Sequence, residues 1–195
     1  QCMVDRAEIM QLRGAWPEAM DEALRAIAQL SRPTAHPAVG TAFYQQAELH
    51  RLRGEFAQAE EAYRNANRWG RVPQPGLALL RFAQGDVRTA FTAIRRAVDE
   101  TVDRVARSQL LPAFVEIGVA AGAVADARSA ADEMAAIADD LDVPFVRAVS
   151  AHCSAAVLLG GGDAHAAGAA LRDAIAIWRQ LEAPYEMARA RALLA

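Results

Sequence analysis

The chain has 195 residues, the length of one large domain or of a segment of a longer protein. Alanine is used 47 times, and all 21 basic residues are arginine, so the composition favours helices and excludes any mechanism that needs a catalytic or phosphate-binding lysine. With 24 acidic residues the net charge is −3, which argues against binding to nucleic acid. Two cysteines, Cys2 and Cys153, are too few for a disulfide framework and suit a reducing compartment.

An internal repeat is marked by five glycines along the chain. They are Gly14, Gly54, Gly85, Gly122 and Gly162. An alanine follows each of them after five residues, at Ala19, Ala59, Ala90, Ala127 and Ala167. Small residues at a fixed distance from a turn glycine allow two packed helices to approach closely, so the pattern predicts helical hairpins with the glycine between the two helices. The five alanines should therefore be nearly fully buried.

Eleven helices are predicted from this register. The predicted pairs are 3–13 and 17–31, 37–53 and 57–69, 75–84 and 87–100, 104–121 and 124–141, and 144–159 and 164–182; the eleventh helix is 185–195. Loops are expected at 32–36, 70–74, 101–103 and 142–143. The predicted fold is all-α: a right-handed α-α superhelix of about five hairpins plus one terminal helix, forming a single domain over residues 1–195. Its repeats cover roughly 1–32, 37–69, 75–101, 104–141 and 144–182, and a sixth begins at 185–195.

Three short motifs suggest chemistry, and each has a simpler interpretation. The run Gly160–Asp163 lacks the lysine of a phosphate loop and fits a turn between helices. His152 and Cys153 are adjacent, so on a helix they diverge and cannot bind one metal together. Asp139, Asp140 and Asp142 lack the glycine and glutamate of a calcium loop and fit a solvated helix end. The sequence therefore predicts no enzyme activity, no cofactor and no metal.

A concave groove is the better candidate for a binding site. Six residues before the glycines stand three glutamates, in a register that should face this groove. The candidate ligand contacts are Glu8, Tyr44, Glu48, Arg51, Phe82, Gln109, Glu116 and His152. A stripe of glutamates would favour a cationic or hydrogen-bond-donating partner. The alternative is that these are ordinary exposed helix residues.

The repeat resembles the tetratricopeptide repeat, and several stretches resemble a narrower group. Residues 44–59 and the C-terminal run from Trp178 to Ala195 are similar to tetratricopeptide-like regions of large actinobacterial LuxR-type transcriptional regulators. The run Leu-Glu-Ala-Pro-Tyr-Glu at 181–186 matches the usual Leu-Gly-Ala-Pro-Tyr-Glu of that family, with Glu182 in place of glycine. Arginine-only, alanine-rich usage agrees with a GC-rich genome.

The resemblance implies a cytoplasmic regulatory or sensor segment of a transcription factor. It would bind a partner protein, a small-molecule inducer or a second copy of itself, while a helix-turn-helix domain beyond the chain binds DNA. One alternative is a free-standing repeat adaptor that binds peptides or partner proteins. A second alternative is an enzyme whose site the sequence does not reveal, which an activity screen would test. No membrane segment is expected, because the longest stretch without charges has 15 residues, 148–162, and contains polar side chains.

The last predicted helix suggests that the natural chain continues. Met187, Ala190, Leu193 and Leu194 form an apolar stripe, with Arg189 on another face. A terminal helix of this kind needs a partner helix, so we expect a fragment of a longer protein that covers this stripe by further helices or by dimerisation. The missing initiator methionine agrees with this expectation.

Overall fold

The computed structural model describes residues 2–31 and 38–194, and every regular element in these ranges is a helix. The eleven helices are α1 Cys2–Leu12, α2 Trp16–Leu30, α3 Ala38–Leu52, α4 Phe56–Arg68, α5 Gly76–Ala83, α6 Val87–Glu100, α7 Arg104–Ala120, α8 Val124–Leu141, α9 Pro144–Gly160, α10 Ala164–Gln180 and α11 Pro184–Leu194. All boundaries lie within two residues of the predicted ones. The predicted loop at 32–36 lies outside the described residues.

The turns inside the hairpins are built as the glycine register predicts. All five register glycines have positive φ, between 76° and 85°, in the left-handed region that glycine reaches without a steric penalty. At Gly14, for example, the glycine N–H donates to the Gln11 carbonyl at 3.0 Å, and the next N–H, of Ala15, donates to the Met10 carbonyl at 2.9 Å. This pair of bonds satisfies the last carbonyls of α1 and directs the chain into α2.

The five register alanines form the helix contacts. Each of them is 0% exposed, which confirms the prediction that they are buried. They lie in the second helix of each predicted pair, and four of these pairs pack directly: α1 with α2, α3 with α4, α7 with α8 and α9 with α10. Around Ala59, for instance, the core includes Ala47, Tyr63 and Leu80.

The contacts group the chain into two compact units, residues 1–84 and 85–195. In the first unit each helix packs against the next one in sequence, and the first helices of neighbouring pairs also meet, α1 with α3 and α3 with α5. In the second unit the consecutive helices from α6 to α11 pack in the same way, and α7 also contacts α9. Packing between sequence neighbours is consistent with a helical repeat protein.

Candidate functional site

Five of the eight predicted site residues fall into two polar clusters, one in each unit. Tyr44, Glu48 and Arg51 meet on α3 in the first unit, while Glu116 and His152 lie on α7 and α9 in the second. Each cluster has a carboxylate at the repeat position six residues before a turn glycine. The remaining candidates, Glu8, Phe82 and Gln109, do not join either cluster.

The first cluster, which we call the Glu48 cluster, consists of Tyr44, Glu48, Arg51 and Tyr63. One oxygen of Glu48 accepts a short hydrogen bond from the Tyr63 hydroxyl, and the other binds Arg51 Nη2 at 2.6 Å. The side chains of Glu48 and Arg51 are only 13% and 15% exposed. The carboxylate is thus largely removed from water, and a cation and a hydroxyl donor take the place of its hydration.

Tyr44 connects this cluster to the start of α5. Its hydroxyl accepts a hydrogen bond from the backbone N–H of Gly76 at 3.1 Å, and its ring lies edge-on to Tyr63 with 5.6 Å between centroids. The guanidinium of Arg71 covers the Tyr44 ring at 4.5 Å, a cation–π contact. Gly76 leaves no room for a side chain, because a Cβ there would collide with Glu48 and Tyr63. The cluster therefore fixes α5 against α3 and α4.

Burial and the Glu48 charge determine the protonation states in this cluster. Burial raises the pKa of Tyr63 and of Tyr44, and the neighbouring Glu48 charge raises both further, so both phenols stay neutral. Burial alone would lower the pKa of Arg51, but the charge and hydrogen bond of Glu48 outweigh it and the pKa ends above its ordinary value. The cluster thus places the Arg51–Glu48 pair beside two neutral phenols.

The second cluster, which we call the Arg189 cluster, consists of Glu116, His152, Glu186 and Arg189. Arg189 on α11 donates to Glu116 on α7 at 2.7 Å and to Glu186, one turn earlier on its own helix, at 3.1 Å. Glu116 is 40% exposed and Arg189 34% exposed. This cluster is wetter than the Glu48 cluster, and its central bond ties the last helix to α7.

His152 and its neighbour Cys153 lie on α9 beside this pair. Burial lowers the pKa of His152 to about 4, the positive charge of Arg189 lowers it as well, and Glu116 opposes both. The Nδ1 atom of His152 is buried without a hydrogen-bond partner. Cys153 is 3% exposed, and burial followed by the Glu116 charge raises the pKa of its thiol to about 12. The histidine is therefore neutral and the thiol unreactive at neutral pH.

The three glutamates that stand six residues before a turn glycine offer less unpaired negative charge than the sequence suggests. Glu48 and Glu116 are each bound to an arginine of the same unit. Glu8 is exposed on α1; partial desolvation raises the pKa of its carboxyl, Asp5 raises it further, and Arg71 opposes them. Two of the three carboxylates already have a cation, so the argument for a cationic ligand rests on Glu8 alone.

The motifs that suggested metal or phosphate chemistry have structural roles. The segment Gly160–Asp163 is the turn from α9 to α10, and the Asp163 side chain accepts a hydrogen bond from the Ala166 N–H at 3.0 Å as a helix cap. Asp139, Asp140 and Asp142 are exposed at the end of α8. Within the described ranges, no three His, Cys, Asp or Glu side chains stand close enough together to hold a metal ion.

The residues that complete the two clusters, Tyr63 and Arg189, were not predicted from the sequence. Tyr63 stands nine residues after Gly54, and the equivalent positions in the other repeats have no hydroxyl group. This difference was the one sign in the sequence that Tyr63 makes a polar contact. Arg189 offered no such signal, because its partner Glu116 lies 73 residues earlier. A third carboxylate, Glu22, was also missed: its side chain is 0% exposed and bound by Arg6 and Arg25. The hydrogen bond from Arg6 in particular lowers its pKa.

Across the part of the chain that the structure describes, no helix has both the length and the apolar character to cross a bilayer. Comparisons with protein-family models, with curated proteins and with solved structures find no match to this chain.

Proposed function

We propose that this chain is the regulatory repeat segment of a LuxR-type transcriptional regulator and that it binds a partner protein, an inducer or a second copy of itself. The observation that carries the interaction role is that consecutive helices within each unit pack against one another around buried register alanines, which is typical of helical repeat proteins that serve as binding surfaces. A right-handed superhelix with one concave groove belongs to the same proposal.

The narrower assignment to a LuxR-type regulator rests on the resemblance of residues 44–59 and 178–195. One structural detail supports it. Glu182 has φ 54°, a left-handed conformation, and the run that is usual in the LuxR-type family has glycine at this position. A backbone that requires positive φ explains why glycine is usual there. In this assignment the protein is cytoplasmic, and DNA is bound by a helix-turn-helix domain outside residues 1–195.

Reading the parent gene beyond Ala195 tests the assignment first. We expect a helix-turn-helix segment to follow the repeats. A second test measures binding of residues 1–195 to duplex DNA by fluorescence anisotropy, where the net charge of −3 predicts no sequence-specific binding. Specific DNA binding by these residues alone would contradict the proposed division of roles.

The second candidate is a free-standing repeat adaptor that binds peptides or partner proteins and has no part in transcription. The same hairpins favour it, because they do not depend on the LuxR resemblance. A stop codon after Ala195 in the parent gene, without a helix-turn-helix, would select this candidate.

A further inference from the structure

One edge of the second unit consists of helix ends and the loops that connect successive hairpins. It comprises residues 99–105, from the end of α6 to the start of α7, and residues 139–147, from the end of α8 to the start of α9. Arg104 joins the two segments: its guanidinium donates to the Ala136 carbonyl at 3.1 Å and binds the Asp140 carboxylate. We call this surface the inter-repeat edge.

Five apolar side chains are exposed on the inter-repeat edge. They are Val102 at 91%, Val105 at 59%, Leu141 at 46%, Val143 at 43% and Phe145 at 43% exposed. The ring of Phe145 also packs edge-on against the Trp178 ring, with 5.4 Å between centroids. Val102 contributes almost nothing to the core, so folding does not explain an apolar residue there. Five exposed apolar residues on two neighbouring segments, rather than single scattered ones, favour a contact surface.

The same edge carries the acidic surplus of the chain. Its two segments contain six carboxylates and two arginines, a local net charge of −4, whereas the whole chain carries −3. Both arginines are already bound within the edge, Arg104 to Asp140 and Arg147 to Asp142. Arg96, just before the edge, also binds Glu100, and Arg107 lies near Asp99, so the carboxylates of the edge that have no arginine beside them among the described residues are Asp103 and Asp139.

This combination determines what the edge can bind. A second copy of the edge would bring like charges together, and an anionic membrane or nucleic acid would be repelled in the same way. A segment with apolar side chains flanked by arginine or lysine is complementary in both respects: its apolar residues cover the valines and Phe145, and its cations face the aspartates.

We propose that the inter-repeat edge is a docking site for a basic amphipathic helix of a partner protein. The proposal deepens the proposed interaction role by naming a surface and the chemistry of its partner. It does not use the groove residues or the LuxR resemblance, so the two can fail separately: the gene sequence tests the regulator, and binding at the edge tests the docking site.

The test uses three labelled peptides of about 18 residues, or five helical turns. The first is an amphipathic Leu/Lys helix, the second its Leu/Glu twin, and the third a Ser/Lys peptide of the same charge as the first. Fluorescence anisotropy at low salt should show binding of the Leu/Lys peptide to residues 1–195 and much weaker binding of the other two. Affinity should fall as salt rises, because part of the attraction is electrostatic.

Two variants locate the site, and one matched variant controls for general effects. Val102→Ser with Val105→Ser removes exposed apolar area, and Asp99→Asn with Asp139→Asn removes charge; all four positions are exposed. Each pair should weaken the Leu/Lys affinity by about tenfold. Ile9→Ser with Asp21→Asn changes an apolar residue of similar exposure, 55%, and an exposed acid in the first unit, and should leave the affinity unchanged. Circular dichroism and thermal melting check that each variant folds.

Four results would overturn the docking site. They are no binding of the Leu/Lys peptide, equal binding of the Leu/Glu or Ser/Lys peptide, unchanged affinity in both edge variants, and an equal loss in the first-unit control. Weakening confined to the edge variants supports it.

Discussion

Glu48 and Glu116 stand at the same repeat position, six residues before a turn glycine, in two different units of the chain. Glu48 is 13% exposed and bound by Arg51 and Tyr63, both from its own hairpin of α3 and α4. Glu116 is 40% exposed and bound by Arg189, which comes from the last helix. One repeat position thus gives a buried local ion pair in one unit and a half-exposed distant one in the other.

The difference shows what a repeat register determines and what it leaves open. The register sets the place of the carboxylate on the first helix of a hairpin. Its partner depends on residues outside the shared columns, such as Tyr63 and Arg189, and these differ between copies. We therefore expect the same substitution at the two glutamates to have unequal effects on stability.

Removing the buried carboxylate should have the largest effect. Glu48→Ala leaves the Arg51 cation and the Tyr63 hydroxyl buried without their acceptor, which should lower the free energy of unfolding by about 3–5 kcal/mol. Glu116→Ala breaks a half-exposed pair and should cost about 0–1 kcal/mol. Urea unfolding of the two variants measures both values. Equal losses of unfolding free energy in the two variants would contradict the expected difference between the two glutamates.

Two glycine substitutions, one in each unit, should change the stability of the protein in opposite directions. In Gly76→Ala the new Cβ collides with Glu48 and Tyr63, so we expect a loss of about 2–3 kcal/mol. In Gly168→Ala, within α10, the Cβ makes ordinary contacts, the nearest at 3.5 Å to Arg172, and the helix should gain about 0.5–1 kcal/mol. Thermal melting compares the two. A neutral Gly76→Ala would show that the Glu48 cluster is loosely packed.

The second unit should lose stability in mild acid through His152. Its pKa is lowered to about 4 from 6.5, so the unfolded chain takes up this proton more readily than the folded one. The contribution is fully present above about pH 6.5 and is lost as the pH falls towards 4, by about 1–3 kcal/mol. Urea unfolding between these pH values measures how the free energy of unfolding depends on pH. In His152→Gln the part of this dependence that comes from His152 should be absent. An identical slope in the variant would contradict the assignment.

The smallest effect concerns the left-handed residue before α11. At φ 54°, Glu182 pays a backbone cost that glycine avoids. Glu182→Gly should be more stable than Glu182→Ala by about 0.5–1 kcal/mol, and comparing these two removes any effect of the lost carboxylate. The same two substitutions at Glu186, inside α11, should give the reverse order, since glycine disfavours a helix interior. Thermal melts of the four variants decide this.

Much of the helical architecture follows from local signals in the sequence. Turn glycines, helix caps such as Asp163 and the spacing of Ala59 and its counterparts locate the helices to within two residues, because these signals act over a few residues. The clusters themselves were not predicted: Tyr44, Glu48 and Arg51 were expected as contacts of a groove ligand, and the structure brings these three residues of α3 together in the Glu48 cluster. Arg189 could not be assigned to Glu116, because the pairing depends on how α11 lies against α7, which no local pattern encodes.

The central claim is that the repeat register brings small residues to the helix contacts, and Ala59 tests it most directly. Ala59 is 0% exposed, whereas Ala57, on the same helix, is exposed. Urea unfolding should show that Ala59→Leu lowers the free energy of unfolding by about 1–3 kcal/mol through overpacking, while Ala57→Leu changes it by less than about 0.5 kcal/mol. Equal tolerance of leucine at both positions would contradict the register.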